Sequence, residues 1–162
     1  MTTSPPDTAP TTRRIALIGN PNVGKTTLFN HLTGLRQKVG NYPGVTVERK
    51  TGKLVGNDAI ELVDLPGSYS LSPKSLDERI AYDVLSGHLA GEARPDLVIC
   101  VVDASVLERN LYLVSQVIDL RMPVIVALNM MDAAKTAGIE IDIEDLSRQL
   151  GVPVIPMVAS RK

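Results

Sequence analysis

The chain has 162 residues, of which 44% are hydrophobic and 22% are charged, and this composition is ordinary for one soluble globular domain with a substantial core. The formal net charge is −1 at pH 7 and there is no basic stripe, so we do not expect nucleic acid as a direct partner. No apolar run reaches the roughly 18 residues of a membrane span. Residues 1–12 lack the apolar segment of a signal peptide, and we predict that they form a disordered tail.

Strand-like and helix-like segments alternate along the rest of the chain. The strand-like runs lie near residues 14–18, 47–55, 59–64, 96–102, 123–129 and 153–158. Several of them are rich in Val, Ile and Leu without alternation, which is typical of strands covered on both faces. Only the second and third runs are joined by a tight turn, Gly56-Asn57-Asp58, which predicts one antiparallel hairpin. We therefore predict an α/β fold with a doubly wound, mostly parallel sheet of six strands, one of them antiparallel.

Three of the predicted helices carry capping residues at their starts. Ser75 and Glu78 form a capping-box pattern, and Ser105 and Glu108 form another. Asp142 is the predicted cap of a third helix. In sheets of this class, ligands bind at the carboxyl ends of the strands, so the loops that follow the strands are where functional residues are expected.

Residues 19–26 carry the phosphate-binding pattern G-x-x-x-x-G-K-[ST] between the first strand and the first helix. Glycines let successive backbone N–H groups point into one anion-sized hollow. Lys25 supplies a positive charge for the β- and γ-phosphates, and the Thr26 hydroxyl is a ligand for Mg²⁺. The predicted nucleotide contacts in this segment are Gly19, Asn20, Pro21, Asn22, Val23, Gly24, Lys25, Thr26 and Thr27.

Two further segments are expected to face the same phosphates. Asp64 ends the third strand-like run, where its carboxylate suits a water-mediated contact to Mg²⁺ and the N–H of Gly67 is placed for the γ-phosphate. Thr46 precedes a strand in a Gly/Pro-rich loop, the first-switch position of GTPases, where the hydroxyl completes the Mg²⁺ shell only with the γ-phosphate present. The predicted contacts are Gly44, Val45, Thr46, Val47 and Glu48 in one segment and Asp64, Leu65, Pro66 and Gly67 in the other.

The segment Asn129-Met130-Met131-Asp132 begins at the end of the fifth strand-like run and is similar to the N-K-x-D pattern of GTPases. The Asp132 carboxylate would accept hydrogen bonds from guanine N1–H and from the exocyclic amine, a donor pair that adenine lacks. Met130 stands where the pattern has a lysine that lies along the base, so we predict weaker GDP binding and faster GDP release than in Ras-type GTPases. GTPases have a short fifth sequence motif after their last strand, and its backbone N–H groups meet guanine O6. Val158, Ala159 and Ser160 fit this motif.

Together these segments resemble one family, the N-terminal G domain of the bacterial ferrous iron transport protein B, which has the P-loop GTPase fold. The resemblance runs from about Arg14 to Lys162. It rests on the segments 19–30, 39–52, 64–71 and 129–132. The stretch 39–52 is long and specific, and Met130 is itself typical of this family. General ribosome-assembly GTPases share the phosphate loop but usually keep the lysine of N-K-x-D.

The resemblance implies slow GTP hydrolysis that K⁺ activates. Asn22 would be a K⁺ ligand, with the backbone carbonyls of Gly40 and Tyr42 completing the site, although asparagine is also common in turns. A cation beside the β/γ bridge would act as an arginine finger does. No general base is assigned, because Ser68 stands where Ras-type enzymes carry the glutamine that positions water. The residues expected to contribute to hydrolysis are Lys25, Asn22, Thr46 and Gly67.

The same resemblance implies that residues 13–162 are a G domain that belongs to a longer membrane protein. The chain stops at Arg161-Lys162, where the final helix of a GTPase should begin, so we expect that helix to be missing. In the intact protein the domain would lie on the cytoplasmic face of the bacterial inner membrane, where it would act on the helical domain and the membrane channel without binding iron itself. The sequence leaves open whether the domain forms a homo-oligomer.

Functions from different classes remain open on the sequence. One is a K⁺-activated GTPase that regulates ferrous iron uptake. Another is a binding switch with negligible turnover, such as a ribosome-assembly or tRNA-modification G protein whose hydrolysis needs a partner. A third is an ATPase of the same fold, against which Asp132 argues.

Overall fold

The computed structural model describes residues 13–72 and 74–159. Seven strands form a single sheet: β1 (Arg13–Gly19), β2 (Gln37–Asn41), β3 (Glu48–Leu54), β4 (Asn57–Asp64), β5 (Leu97–Asp103), β6 (Val124–Asn129) and β7 (Val154–Pro156). The helices are α1 (Lys25–Thr33), α2 (Leu76–Ser86), α3 (Leu107–Asp119), α4 (Met131–Thr136) and α5 (Ile143–Leu150), with a 3₁₀ turn, Ala104–Val106, before α3.

The strands are ordered β2-β3-β4-β1-β5-β6-β7 across the sheet. Strand β3 runs antiparallel to both of its neighbours, β2 and β4, and the remaining neighbours are parallel. The predicted α/β fold, mostly parallel with one antiparallel strand, is therefore confirmed. Because β1, β4, β5 and β6 share one direction, the loops that follow them meet at one edge of the sheet.

Strand β2 was not predicted, and it brings the number of strands from six to seven. Its sequence, Gln-Lys-Val-Gly-Asn, has one apolar residue, Val39, which is 63% exposed. Neither a hydrophobic run nor an alternating pattern therefore marks it. It forms because it pairs with β3 along its whole length, from Gln37 opposite Gly52 to Asn41 opposite Glu48. The predictions for the tail 1–12 and for the final helix fall outside the residues described.

Two of the three predicted helix caps are confirmed and one is wrong. The side chains of Ser75 and Asp142 accept backbone N–H groups of their helices at 3.2 and 3.0 Å. Ser105 does not cap α3, because Asp103 accepts hydrogen bonds from the Ser105 N–H and hydroxyl at 2.8 and 2.6 Å. That contact places Ser105 inside the 3₁₀ turn, and α3 begins only at Leu107.

The sheet is covered on both faces by apolar side chains. One cluster packs beneath α2 and α3 and includes Ile18, Val63 and Cys100; the other packs beneath α1 and includes Leu17 and Phe29. Cys100 is buried in the first cluster, and this burial raises the pKa of its thiol to about 12. Across the described part of the chain, no helix has the length and apolar character that crossing a bilayer requires.

Candidate nucleotide-binding site

The segment between β1 and α1 forms a loop suited to an anion. Gly24 adopts a left-handed conformation with φ 88°, and its carbonyl accepts the Leu28 N–H at 3.0 Å as α1 begins. Because Gly24 has no side chain to cap the helix, the first N–H groups of α1 are available to a phosphate. A cavity of about 590 Å³ opens here, and it is lined by Asn20, Pro21, Asn22, Gly24, Lys25, Thr26, Thr27, Gly67 and Asp77.

A neighbouring cavity of about 440 Å³ brings three separate motifs together, since Lys25, Thr46 and Asp64 all line it with Gly67. The Lys25 ammonium forms a salt bridge with the Asp64 carboxylate, and both side chains are nearly buried. Thr46 lies in the turn of the β2–β3 hairpin, which the Tyr42 N–H closes by donating to the Val47 carbonyl at 3.0 Å. The predicted grouping of phosphate loop, first switch and Asp64 segment is thus seen in the geometry.

The oxygen atoms in these two cavities suit Mg²⁺. Thr26 and Thr46 offer hydroxyls and Asp64 offers a carboxylate, the hard oxygen donors that Mg²⁺ prefers while it keeps several waters. Asp64 is held by Lys25, so the same carboxylate is already positioned beside the charge that is expected to meet the β- and γ-phosphates.

The opposite end of the site is organised by Asn129, which ends β6 and is 3% exposed. Its Nδ2 donates to the Val23 carbonyl of the phosphate loop at 2.9 Å, and its Oδ1 accepts the Ala159 N–H at 2.8 Å. Asn129 therefore joins the phosphate loop to the loop after β7. Ala159 is buried where the fifth motif was expected, while Ser160 lies outside the described residues.

Met130 and Asp132 follow directly at the start of α4. Met130 has φ 60°, and its side chain extends towards the phosphate loop, with its terminal methyl near Gly24. Asp132 is exposed in the first turn of α4, where one carboxylate oxygen accepts the Ala133 N–H at 2.9 Å. The second carboxylate oxygen of Asp132 is therefore the one available to the base of a nucleotide.

The three residues predicted to bind K⁺ are not grouped in one cavity. Asn22 is exposed with φ 66° and lines the phosphate-loop cavity, whose described lining includes neither Gly40 nor Tyr42. Gly40 pairs with Arg49 in the β2–β3 ladder, and the Tyr42 carbonyl accepts the Val45 N–H at 3.3 Å. The cation site therefore stays a prediction.

Ser68 and Tyr69 follow Gly67, in the segment where Ras-type enzymes carry the glutamine that positions water. Ser68 is 1% exposed; its N–H donates to the Gly19 carbonyl and its hydroxyl to the Pro66 carbonyl, both at 3.0 Å. The Ser68 side chain is thus committed to holding its own loop. Tyr69 is 58% exposed and is not held in this way.

Two residues that the sequence did not single out for these roles help to build the site. Asn20 is 4% exposed, and its Nδ2 donates to the Arg109 carbonyl at 3.5 Å, which joins the phosphate loop to α3. Asp77, in the first turn of α2, lines both cavities. No motif marks Asp77, because its place depends on how α2 packs. Among residues 13–72 and 74–159, no group of three His, Cys, Asp or Glu side chains is arranged as a metal site.

One family matches nearly the whole chain. The sequence model described as ferrous iron transport protein B covers residues 13–162. This chain belongs to the FeoB family. The Fe(2+) transporters FeoB of Salmonella typhimurium and Escherichia coli (strain K12) are 57% and 59% identical to it over 152 residues, or 91% of this chain. The chain spans only 19% of the length of either relative.

Solved FeoB structures have the same fold. A GDP-bound point mutant of the S. thermophilus FeoB G domain is 50% identical, with a TM-score of 0.87 over 93% of this chain and 56% of that one. The G domain of T. maritima FeoB is 45% identical, with a TM-score of 0.80 over 91% of this chain and 88% of that one. These matches confirm the family resemblance and the G-domain fold predicted from the motifs.

Proposed function

We propose that this chain is a G domain that binds and slowly hydrolyses GTP in order to regulate ferrous iron transport by a longer FeoB protein. The observation that carries the proposal is the double hydrogen bond of Asn129 to Val23 and Ala159. It gathers the phosphate loop, the last loop and the Asp132 segment around one site. A guanine nucleotide bound there would lie with its phosphates at Lys25 and its base at Asp132.

The residues of the chain have distinct roles in the proposed reaction. Lys25 moves from Asp64 to the β- and γ-phosphates, and the Gly67 N–H donates to a γ-phosphate oxygen as negative charge develops there. Mg²⁺, held by Thr26, Thr46 and Asp64, would neutralise phosphate charge. K⁺, held by Asn22 with carbonyls of the first-switch loop, would add positive charge beside the β/γ bridge.

The nucleotide state is what the rest of the transporter would sense. Thr46 would bind Mg²⁺ only while the γ-phosphate is present. Its loop would therefore be ordered with GTP and would become disordered on hydrolysis. In our proposal this change biases a membrane channel through a helical domain, from the cytoplasmic face of the bacterial inner membrane. In this proposal iron is the cargo of the channel and is not a ligand of the G domain.

Competition for the site tests this proposal against an ATPase of the same fold. Fluorescent GDP is bound to the domain with Mg²⁺ and then titrated with unlabelled GDP, GTP, ADP and ATP. We expect the two guanine nucleotides to displace it at concentrations about 100-fold lower than the adenine nucleotides, because adenine cannot donate the two hydrogen bonds to Asp132. Equal displacement by ADP would refute guanine recognition.

Replacing Met130 by lysine is expected to slow GDP release. The Met130 side chain already extends towards Gly24, so a lysine stem can follow the same path and bring a hydrogen-bond donor to the loop. One added hydrogen bond of about 1 kcal/mol gives a roughly fivefold longer lifetime of the GDP complex. Stopped-flow release of fluorescent GDP measures it.

A lysine introduced at an exposed position away from the site is the control for the added charge. Ile155→Lys places the same charge on β7, where the side chain is 51% exposed, and should leave GDP release unchanged. An unchanged or faster release rate in Met130→Lys would contradict the role given to position 130. A slow, nanomolar GDP complex in the unmodified domain would contradict it as well.

A further inference from the structure

Glu92 is the most buried member of a partly buried ion cluster that joins three parts of the fold. It lies between α2 and β5, and its side chain is only 4% exposed. Arg49 of β3 donates to it through Nε and through Nη2, the latter at 3.2 Å, and Arg14 of β1 donates through Nη1 at 3.0 Å. A second carboxylate, Glu61 of β4, lies 3.3 Å from Arg14 and 4.0 Å from Arg49. The two guanidinium groups of Arg14 and Arg49 thus face the two carboxylates of Glu61 and Glu92, so the positive and negative charges of the cluster balance.

The segment that carries Glu92 is fixed at several points. The Arg94 guanidinium donates to carbonyls at the C-terminal ends of α2 and α3, at 3.0 and 3.3 Å. Asp96 exchanges two hydrogen bonds with the Arg14 backbone, at 2.8 and 2.9 Å. The Arg14 side chain also reaches the Ala93 carbonyl at 3.2 Å. Glu92 is therefore presented from a well-anchored segment.

Thr46 lies in the chain between Arg49, which binds Glu92, and Tyr42, which is buried in the core. Arg49 follows Thr46 by three residues, and Tyr42 precedes it by four. Tyr42 is 1% exposed, packs in the core beneath α2, and has a buried hydroxyl without a hydrogen-bond partner among the described residues. Burial raises the pKa of Tyr42, and among its charged neighbours Glu92 raises that pKa most. The loop that carries Thr46 is thus anchored on one side by the hydrogen bonds of Arg49 to Glu92 and on the other by the packing of Tyr42 in the core.

We propose that Glu92 is a positioning residue that holds Thr46 at the phosphate cavity through Arg49, without touching the nucleotide. Thr46 lines the same cavity as Lys25 and Asp64, where the γ-phosphate would lie in the proposed function. The inference rests on the proposed function. It predicts that loss of Glu92 weakens GTP binding more than GDP binding, because Thr46 contributes to the site only when the γ-phosphate is present.

Glu92→Gln removes the negative charge while keeping the size of the side chain. Arg49 and Arg14 then share one carboxylate, Glu61, and the hairpin is held less firmly. We expect a non-hydrolysable fluorescent GTP analogue with Mg²⁺ to bind at least about fivefold more weakly, whereas GDP affinity changes by less than about twofold. Fluorescence titration of both ligands gives the two values, and the thermal unfolding midpoint is recorded for each variant.

Three further variants separate positioning from a general folding defect. Glu140→Gln removes an exposed carboxylate between α4 and α5 and should leave both affinities unchanged. Arg49→Lys keeps the charge but loses the forked contact, and should produce the same selective loss in a milder form. The double variant Glu92→Gln/Arg49→Lys should lose no more than the weaker-binding single variant, since both changes break one connection.

The outcomes separate this inference from the proposed function. If the unmodified domain binds GDP and the GTP analogue but Glu92→Gln and Arg49→Lys lose both ligands equally, Glu92 has only a structural role. If both variants bind like the unmodified domain, the inference is also overturned. If the unmodified domain binds neither ligand, the proposed function fails first. A loss confined to the GTP analogue supports the inference.

Discussion

Replacing Asp132 by asparagine is expected to change the preferred nucleotide from GTP to xanthosine triphosphate. The Asp132 carboxylate accepts from guanine N1–H and from the exocyclic amine, and asparagine cannot accept both. Xanthine has a carbonyl in place of that amine, so the asparagine amide can donate to it while its oxygen accepts N1–H. Two hydrogen bonds to a charged group contribute about 1.5–3 kcal/mol each, so GDP affinity should fall about 100-fold or more.

Displacement of fluorescent GDP, and of a fluorescent xanthosine diphosphate, measures the change. Asp119→Asn is the matched control, because Asp119 is an exposed carboxylate at the end of α3, away from the β6–α4 segment. It should keep the GDP preference. Unchanged GDP affinity in Asp132→Asn would mean that the base is recognised elsewhere, and the guanine assignment would be lost.

Replacing Gly24 by alanine is expected to abolish nucleotide binding and to destabilise the domain. A Cβ atom at Gly24 would lie 2.2 Å from Asn129 Nδ2, and the φ of 88° is itself unfavourable for alanine. The amide cannot move aside without losing its bonds to Val23 and Ala159. Steric strain and the left-handed backbone together should cost about 2–4 kcal/mol of unfolding free energy. Chemical denaturation and GDP titration give the two results.

Gly138→Ala is the control for backbone strain alone. Gly138 follows α4 with φ 74°, and no described atom lies within 4 Å of the position its Cβ would take. This variant should lose about 1–2 kcal/mol of stability and keep full GDP affinity. If Gly24→Ala bound GDP as well as Gly138→Ala does, the contact between the phosphate loop and Asn129 would not matter for binding.

The sequence predicted those parts of the fold and site that are defined by local chemistry. Gly19 and the run Gly24-Lys25-Thr26 match the phosphate-loop pattern, and β5 and β6 are apolar runs whose burial follows directly from composition. The cap at Ser75 depends on neighbours within one helical turn. These features need little information from distant parts of the chain, so a local pattern was sufficient.

Other features depend on residues far apart in the sequence, and no local pattern indicates them. Strand β2 is polar and exists because β3 offers it a partner, and Asp77 reaches the site only through the packing of α2. Glu92 looks like an ordinary surface acid in the sequence, yet it is buried by arginines 43 and 78 positions away. Ser105 had the pattern of a cap for α3, but its N–H and hydroxyl both donate to Asp103, which caps the 3₁₀ turn before α3 instead.

GTP turnover by the purified domain in KCl and in NaCl, at equal ionic strength with Mg²⁺, tests the central claim most directly. We expect hydrolysis at least about tenfold faster in KCl, and we expect Asn22→Ala to lose this difference while its GDP affinity stays close to that of the unmodified domain. Equal rates in both salts would contradict a K⁺-activated GTPase, would remove Asn22 from the ion site, and would favour a switch whose hydrolysis depends on a partner.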